Sequence, residues 1–265
     1  SFFKKKHNCY TFDINNSGTE SSIKSLVKKV DIVFLCVPTP MKQSGECDIS
    51  IVKNVLTQIN ELKIKLPCVI KSTIPPGTSK IFNDAFDNLQ IIFNPEFLTE
   101  ANAANDFEMQ DRIILGGYGE ALRKCEEFFT HYFQNSKIIL CSPTEAVLVK
   151  YVTNTFLTTK VAYANEIYNI CKSLAVDFNN LSTIFTLDKR LGESHWSVPG
   201  PDGKYGYGGS CFPKDINALI YFANSINVAT PVLNTVWKRN IEIDRPEQDW
   251  KGLVGRAVSK KNDKS

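Results

Sequence analysis

Along the first half of the chain, short apolar runs alternate with stretches whose apolar positions return every three or four residues. Cys9–Asp13, Asp31–Val37, Cys68–Ser72, Gln90–Phe93, Arg112–Gly116 and Lys137–Leu140 are the strand candidates. Several are apolar at every position, which suits strands covered on both faces of a parallel sheet. Between them, Ser50–Lys63 and Glu120–Phe133 carry helical periodicity, with Ser50 placed to cap its helix. This alternation predicts an α/β domain with a doubly wound parallel sheet.

The texture changes after Pro143. From Thr144 to about Leu174 a single helical pattern runs without glycine or proline. Leu148, Val152, Phe156, Thr159, Tyr163, Ile167, Ile170 and Leu174 recur on it at three- and four-residue steps and predict one mainly apolar face. A helix of that length spans about 45 Å, enough to join two lobes. Asp177–Leu187, Lys214–Asn224 and Thr230–Ile243 read as further helices, and Gly192–Gly209 as a loop. The expected division is therefore residues 1–143 as an α/β domain, 144–243 as an all-helical domain and 244–265 as a polar, frayed tail.

Composition narrows the classes. The chain has 265 residues, of which 43% are hydrophobic and 22% charged, as in an ordinary soluble globular protein. Its net charge of +3 comes with no long basic stripe interleaved with aromatics, so no nucleic-acid partner is expected. Lys4-Lys5-Lys6 and the terminal lysines read as solvated ends. No apolar run is long enough to cross a bilayer. The eight cysteines contain no CxxC pair and read as reduced thiols of a cytoplasmic protein. The opening Ser1, in place of Met, is read as the start of a fragment or of a processed chain.

The most informative chemistry lies in Tyr205–Asp215, where glycines precede Cys211 and a lysine and a carboxylate, Lys214 and Asp215, follow it. A thiol is a good nucleophile only as thiolate, so a neighbouring cation or a helix N-terminus matters more than the cysteine itself. The alternative is a structural cysteine in a glycine turn. Asp13 closes a β-run where a dinucleotide fold keeps its ribose-binding carboxylate, or it is a turn residue before Asn15. In that fold the phosphate-cradling glycines precede the carboxylate by about 20 positions. Counted back from Asp13, they fall before Ser1.

Thr39 and Thr73 follow buried-type strands, where hydroxyls face the ligand crevice of such a fold, although turn chemistry would also place them there. Glu96 and Glu100 fall on one side if Pro95 starts a helix, either as functional carboxylates or as partners of the helix dipole. Lys150 and Asn154 lie four apart on the long helix and pair a cation with an amide, which suits an oxyanion; a lysine there is otherwise simply solvated. His7, His131 and His195 have no partner spacing, so neither a metal site nor a histidine dyad is expected.

Together, VPTP (37–40), KSTIPPGT (71–78), NPEFLTEANAANDF (94–107), DRIILGG (111–117), the helix 150–177, DKRLG (188–192) and above all YGYGGSCFPKD (205–215) resemble the UDP-glucose/GDP-mannose dehydrogenase family. The resemblance implies an incomplete Rossmann-like sheet followed by a helical central and dimerisation domain. It also implies NAD as cofactor and two successive oxidations of a sugar C6 alcohol to the carboxylate. Cys211 would be the covalent nucleophile, Lys150 and Asn154 would steady oxyanions, and Asp215 would organise the base or water. Thr73 and Glu96 would position the reacting group, with Glu96, Phe97, Leu98, Lys150, Asn154, Arg190, Tyr205 and Gly208 around the substrate. Asp13, Thr39, Thr73, Glu100 and Lys214 map on the cofactor side. Arg190 matches an arginine that reaches a neighbouring subunit's substrate, so a homodimer through the long helix is implied.

Phe212 after the cysteine looks like the UDP-glucose branch, where GDP-mannose members carry leucine. The sequence departs from the family at four points: the missing glycine loop, a short Asp13–Asp31 segment, Ala101 in place of glycine, and no α/β domain after Ile243. These departures leave open GDP-mannose oxidation and a non-catalytic, dimerising remnant as competing readings.

Overall fold

The structure is a computed structural model that describes residues 3, 7–15, 17–99 and 102–260. Lys4–Lys6, Glu100, Ala101 and the lysines beyond 260 lie outside the described residues. In chain order the elements are α1 (Ile23–Val27), β1 (Val33–Leu35), α2 (Ser50–Glu61), β2 (Leu66–Ile70), α3 (Thr78–Ala85), β3 (Leu89–Phe93), α4 (Ala103–Glu108), β4 (Arg112–Gly116), α5 (Gly119–Tyr132) and β5 (Lys137–Cys141). Then follow α6 (Pro143–Ser173), α7 (Phe178–Phe185), α8 (Phe212–Ser225) and α9 (Pro231–Arg239). The chain divides into two units, Ser1–Thr39 with Ile49–Lys150, and Pro40–Asp48 with Tyr151–Ser265. The division thus falls inside α6 rather than at its start, and Pro40–Asp48 belongs with the second unit because its backbone pairs there, Met41 N–H donating to Ala257 O at 2.9 Å and Ser259 N–H to Met41 O at 2.8 Å.

The first unit holds a five-stranded sheet in the order β1-β2-β3-β4-β5. β1, β2 and β3 run parallel, as do β4 and β5, whereas β3 meets β4 antiparallel at Phe93 and Gly116, so the sheet is mostly rather than wholly parallel. Every residue of β2 is buried, the pattern expected of a strand covered on both faces. α5 lays Ala121, Cys125 and Phe129 against Val69, Ile92, Ile113 and Leu115 of the sheet. Each large side chain buried in this way contributes about 1.5–3 kcal/mol. Because β1, β2 and β3 are parallel, the residues that follow them, 36–39, 71–73 and 94–99, all emerge at the same sheet edge.

Cys9–Asp13 is not a strand. The Thr11 N–H donates to Thr19 Oγ1 at 2.8 Å and the Glu20 N–H to Thr11 O at 2.9 Å, so the segment closes on its own turn instead of on a ladder. Nor does Pro95 start a helix, and 94–99 stays irregular. Ser50 is the first residue of α2 and not its cap, which is Ile49.

In the second unit, α6 packs through a face the apolar periodicity did not select. Tyr151, Asn154, Thr155, Thr158, Ala162, Ala164 and Asn165 are buried, whereas Val152 and Phe156 of the expected apolar face are 60% and 65% exposed. Small and hydroxyl residues let neighbouring backbone approach this side of the helix, and the hydroxyls of Thr155, Thr158 and Thr159 return hydrogen bonds to the helix's own carbonyls.

Residues 244–260 are not a frayed tail. A π-turn (Asn240–Asp244) extends α9, a 3₁₀ turn (Asp249–Gly252) follows, and Trp250 is 1% exposed with its ring 5.6 Å from that of Trp237. Arg245 is likewise buried, donating to Asp249 at 2.9 and 2.7 Å and to Asp202 at 2.7 Å. Hydrogen bonds from Arg245, with help from Lys204, hold the Asp249 carboxyl well below the usual carboxylate range.

Replacing Trp250 with Ala should lower stability by about 3–5 kcal/mol, the range for emptying a large buried aromatic site, read as a urea midpoint. An unchanged midpoint would mean the segment is not packed. The depressed value of Asp249 also fixes a sign. Its contribution is complete above the free aspartate value of about 3.9 and is lost as pH falls towards the lower folded value. The stability difference between the parent and Asp249→Asn should therefore be present near neutrality and shrink in acid. A difference independent of pH would contradict the ion pair.

Candidate active site

The chemistry-bearing residues gather in two clusters, one in each unit. The first lies at the shared edge beyond β1, β2 and β3. Lys150, in the opening turns of α6, is 8% exposed and donates its Nζ proton to Glu96 O at 2.5 Å, so it is not a solvated surface lysine. Its ammonium lies 5.7 Å from the centre of the Phe97 ring, over which the Arg112 guanidinium also stands at 5.0 Å. These contacts hold 96–97 irregular, which is why Pro95 does not nucleate a helix. Asn94 ties the same stretch to the sheet, its Nδ2 donating to Ile114 O at 2.8 Å and its N–H to Ile70 O at 2.9 Å.

Lys71 belongs to this cluster and was not singled out from the sequence. Its Nζ donates to Asn94 Oδ1 at 2.9 Å, and burial pushes its ammonium down despite the nearby Glu96 and Cys36. Cys36 reaches solvent, yet the protein around it pushes its thiol up. The signal was available: Lys71 is a charge set directly after a fully apolar strand.

The buried hydroxyls of Thr39, Ser72 and Thr73 stand at this edge, with Ser72 Oγ donating to Val37 O at 2.6 Å. Asp13 is exposed and accepts the Asn15 N–H at 2.7 Å through one carboxylate oxygen, Oδ1. It therefore serves as a turn residue here. Leu98 is half-buried beside Phe97, and Glu100 lies outside the described residues. At the carboxyl ends of parallel strands, hydroxyls can donate to and carboxylates accept from a dinucleotide's ribose and amide groups.

The second cluster surrounds the start of α8. Cys211 is exposed and occupies the N-cap, where the helix dipole favours an anion, and its Sγ lies 3.8 Å from Ser210 Oγ. One turn further on, Asp215 is 1% exposed. Its Oδ2 accepts from Asn154 Nδ2 and its Oδ1 from Lys214 Nζ, each at 2.5 Å. Burial pushes the Lys214 ammonium down, but the neighbouring Asp215 carboxylate more than reverses this and leaves it raised. Tyr151 borders the same carboxylate and Cys47 neighbours Tyr151 and Lys214; burial drives the Tyr151 phenol well up. Neither was singled out from the sequence, since Cys47 sits in a loop far away along the chain.

Arg190 and Tyr205 are on the surface of the second unit. The Arg190 guanidinium is exposed and forks onto Asp188, Nε donating to Oδ1 at 2.9 Å, and the Tyr205 hydroxyl lies 3.5 Å from that of Tyr168. Gly208 sits against Arg245. Among the described residues no three His, Cys, Asp or Glu side chains gather to hold a metal, and no helix is long and apolar enough to cross a membrane.

A mostly parallel sheet with hydroxyls at its carboxyl edge is the arrangement of a nucleotide-binding α/β unit. Residues 10–134 match the UDP-glucose/GDP-mannose dehydrogenase family's NAD binding domain and residues 144–242 its central domain. The chain belongs to that family, and its cofactor is NAD. It is 38% identical over 226 residues to a UDP-glucose 6-dehydrogenase of Rickettsia bellii, covering 82% of this chain and 50% of the relative. A UDP-glucose 6-dehydrogenase of Bacillus subtilis is 31% identical over 253 residues, covering 91% and 56%. Among solved structures, a UDP-glucose dehydrogenase from the archaeon Pyrobaculum islandicum superposes with a TM-score of 0.75 at 30% identity, covering 83% and 52%. The chain thus spans about half the length of the relatives it matches.

Alkylation should separate the thiols. Burial pushes Cys68 and Cys125 up to about 12, so with iodoacetamide at about pH 8 both should stay unmodified in the folded protein while Cys211 labels first. Peptide mass mapping that found Cys68 or Cys125 labelled as fast as Cys211 would contradict the packing.

Proposed function

We propose that this chain carries the catalytic residues of an NAD-dependent UDP-sugar dehydrogenase that oxidises the C6 alcohol of UDP-glucose to the carboxylate of UDP-glucuronate. The observation that carries the reading is the second cluster, an exposed thiol at a helix N-cap one turn from a buried carboxylate held by Lys214 and Asn154. Thr39, Thr73, Asp13, Glu100 and Lys214 are the residues that would hold NAD, which when bound would supply the hydride acceptor for both oxidations.

The protein's own part begins with the alcohol. Thr73 and Glu96 orient the C6 group and its water, and Asp215 organises the proton acceptor. Once the first hydride has left, C6 is an aldehyde. The Cys211 thiolate adds to it, forming the C–S bond and moving an electron pair onto oxygen, where the Lys150 ammonium and the Asn154 amide meet the charge. Departure of the second hydride restores the carbonyl as a thioester. Water then adds, the C–S bond breaks and the thiolate returns. Per sugar, two NAD and one water are consumed, giving two NADH, the carboxylate and three protons. The covalent bond also keeps a reactive aldehyde from escaping between the two oxidations.

Phe97, Leu98, Arg190, Tyr205 and Gly208 complete the substrate contacts in this reading. The exposed apolar stripe of α6, including Val152, Phe156, Tyr163 and Ile170, supports a homodimer through that helix, in which Arg190 serves the partner's substrate. The absence of any disulfide among the eight cysteines supports a reducing, cytoplasmic compartment.

Absorbance of NADH with UDP-glucose and GDP-mannose in parallel tests the substrate. Turnover with UDP-glucose is expected, and turnover with GDP-mannose alone would transfer the reading to the other branch. Lys150→Met should lower kcat by about 10²–10³-fold, as loss of one oxyanion donor does. An unchanged kcat would remove Lys150 from the mechanism.

A further inference from the structure

The loop Tyr205–Cys211 has no strand beside it, yet its backbone is held at three consecutive residues. Gly206 N–H donates to Asn165 Oδ1 at 3.2 Å. Tyr207 N–H donates to Asn240 Oδ1 at 2.9 Å, while Asn240 Nδ2 donates back to Tyr207 O at 2.9 Å. A single buried amide thus satisfies both backbone groups of Tyr207, as a neighbouring strand would. At Gly208 the contact is flat. A Cβ built there would lie 2.5 Å from Arg245 Cζ, 2.6 Å from Nη2 and 2.8 Å from Nε, so the guanidinium plane rests on the glycine's backbone. Gly208 has no positive φ, so glycine is required there for space and not for conformation.

Arg245 cannot swing aside cheaply. It is 3% exposed and pinned on its other edge by Asp202 and Asp249, and its Nη1 is buried without a protein partner. The two groups act from one turn, because Arg245 N–H donates to Asn240 O at 2.7 Å and closes the π-turn. π-turns inside helices are frequent at functional sites. The loop's far end is Cys211, the N-cap of α8.

We infer that Asn240 and Arg245 are positioning residues for Cys211, fixing the glycine loop so that the thiol stands where its carbonyl target arrives. The inference rests on the nucleophile reading of Cys211. Neither residue touches the reacting atoms, and both act through the backbone of 206–208. A misplacement of about 1 Å at a reacting group costs about 10²-fold in rate, so the effect falls on kcat.

The test uses the intact gene product with UDP-glucose and NAD, read by steady-state kinetics and by hydrogen exchange of the peptide 205–211. Asn240→Asp keeps the shape but loses the Nδ2 donor. It should speed exchange in that peptide, leave α5 and α6 peptides as they were, and lower kcat by about 10–10²-fold. Should that variant not fold, a cycle of Gly208→Ala, Arg245→Met and the double variant decides. If the guanidinium docks the loop, the alanine's clash disappears with Arg245, and peptide 205–211 of the double variant exchanges no faster than that of Arg245→Met alone. Effects that multiply would overturn the inference, as would a loosened loop with unchanged kcat. Cys211→Ser separates the two claims. If it still forms two NADH per sugar, the nucleophile reading falls, whereas loop exchange in the Asn240 variant still reports whether the dock exists.

Discussion

Asp215 constrains the second unit. A carboxylate withdrawn from water to 1% exposure carries an effective penalty of several kcal/mol unless a cation and a further donor meet it. Lys214 and Asn154 are those partners. Lys214 is the adjacent residue in the chain, but Asn154 lies on α6, so neutralising the charge ties the first turn of α8 to a particular turn of α6. The N-cap thiol is then fixed by helix geometry, one turn from a compensated charge. Removing either partner would leave the other charge buried, so the arrangement tolerates little drift.

The first unit meets a different constraint. Parallel strands deliver their following residues to one edge, and each of β1, β2 and β3 is followed by polar groups that cannot be buried without partners. Ser72 satisfies itself on the backbone of β1's exit, Asn94 on β4, and Lys71 on Asn94. Lys150 takes the Glu96 carbonyl and so decides the shape of the loop in front of it. Hydrogen-bond satisfaction at a sheet edge is also what presents hydroxyls and ammonium groups to a ligand.

Local patterns were legible where local forces decide. The apolar runs at Arg112–Gly116 and Lys137–Leu140, the periodic stretch of α5 and the unbroken pattern of α6 became the elements they predict. The contiguous motif around Cys211 exposed the thiol, the lysine and the carboxylate together, because consecutive residues of one helix turn meet in space. Legibility failed where a distant partner rules. Cys9–Asp13 has strand-forming residues, but Thr19 takes the backbone proton a ladder would need. The apolar stripe of α6 was read correctly as a stripe, although its own unit packs the opposite, smaller residues. Asn240, Arg245 and Trp250 sit in polar sequence with no period. Asn240 and Arg245 take their meaning from the Tyr207 backbone, Gly208 and Asp202, more than thirty residues upstream, in positions that only the folded chain brings near.

The proposed reaction runs through a covalent intermediate at one sulfur. The direct measurement is acid quenching of the intact gene product during turnover with UDP-glucose and NAD, followed by peptide mass mapping of its cysteines. The account predicts a glucuronyl thioester on the Cys211 peptide, removed by hydroxylamine and absent when NAD is withheld. An adduct on another cysteine, or steady formation of UDP-glucuronate with Cys211 never modified, would contradict it.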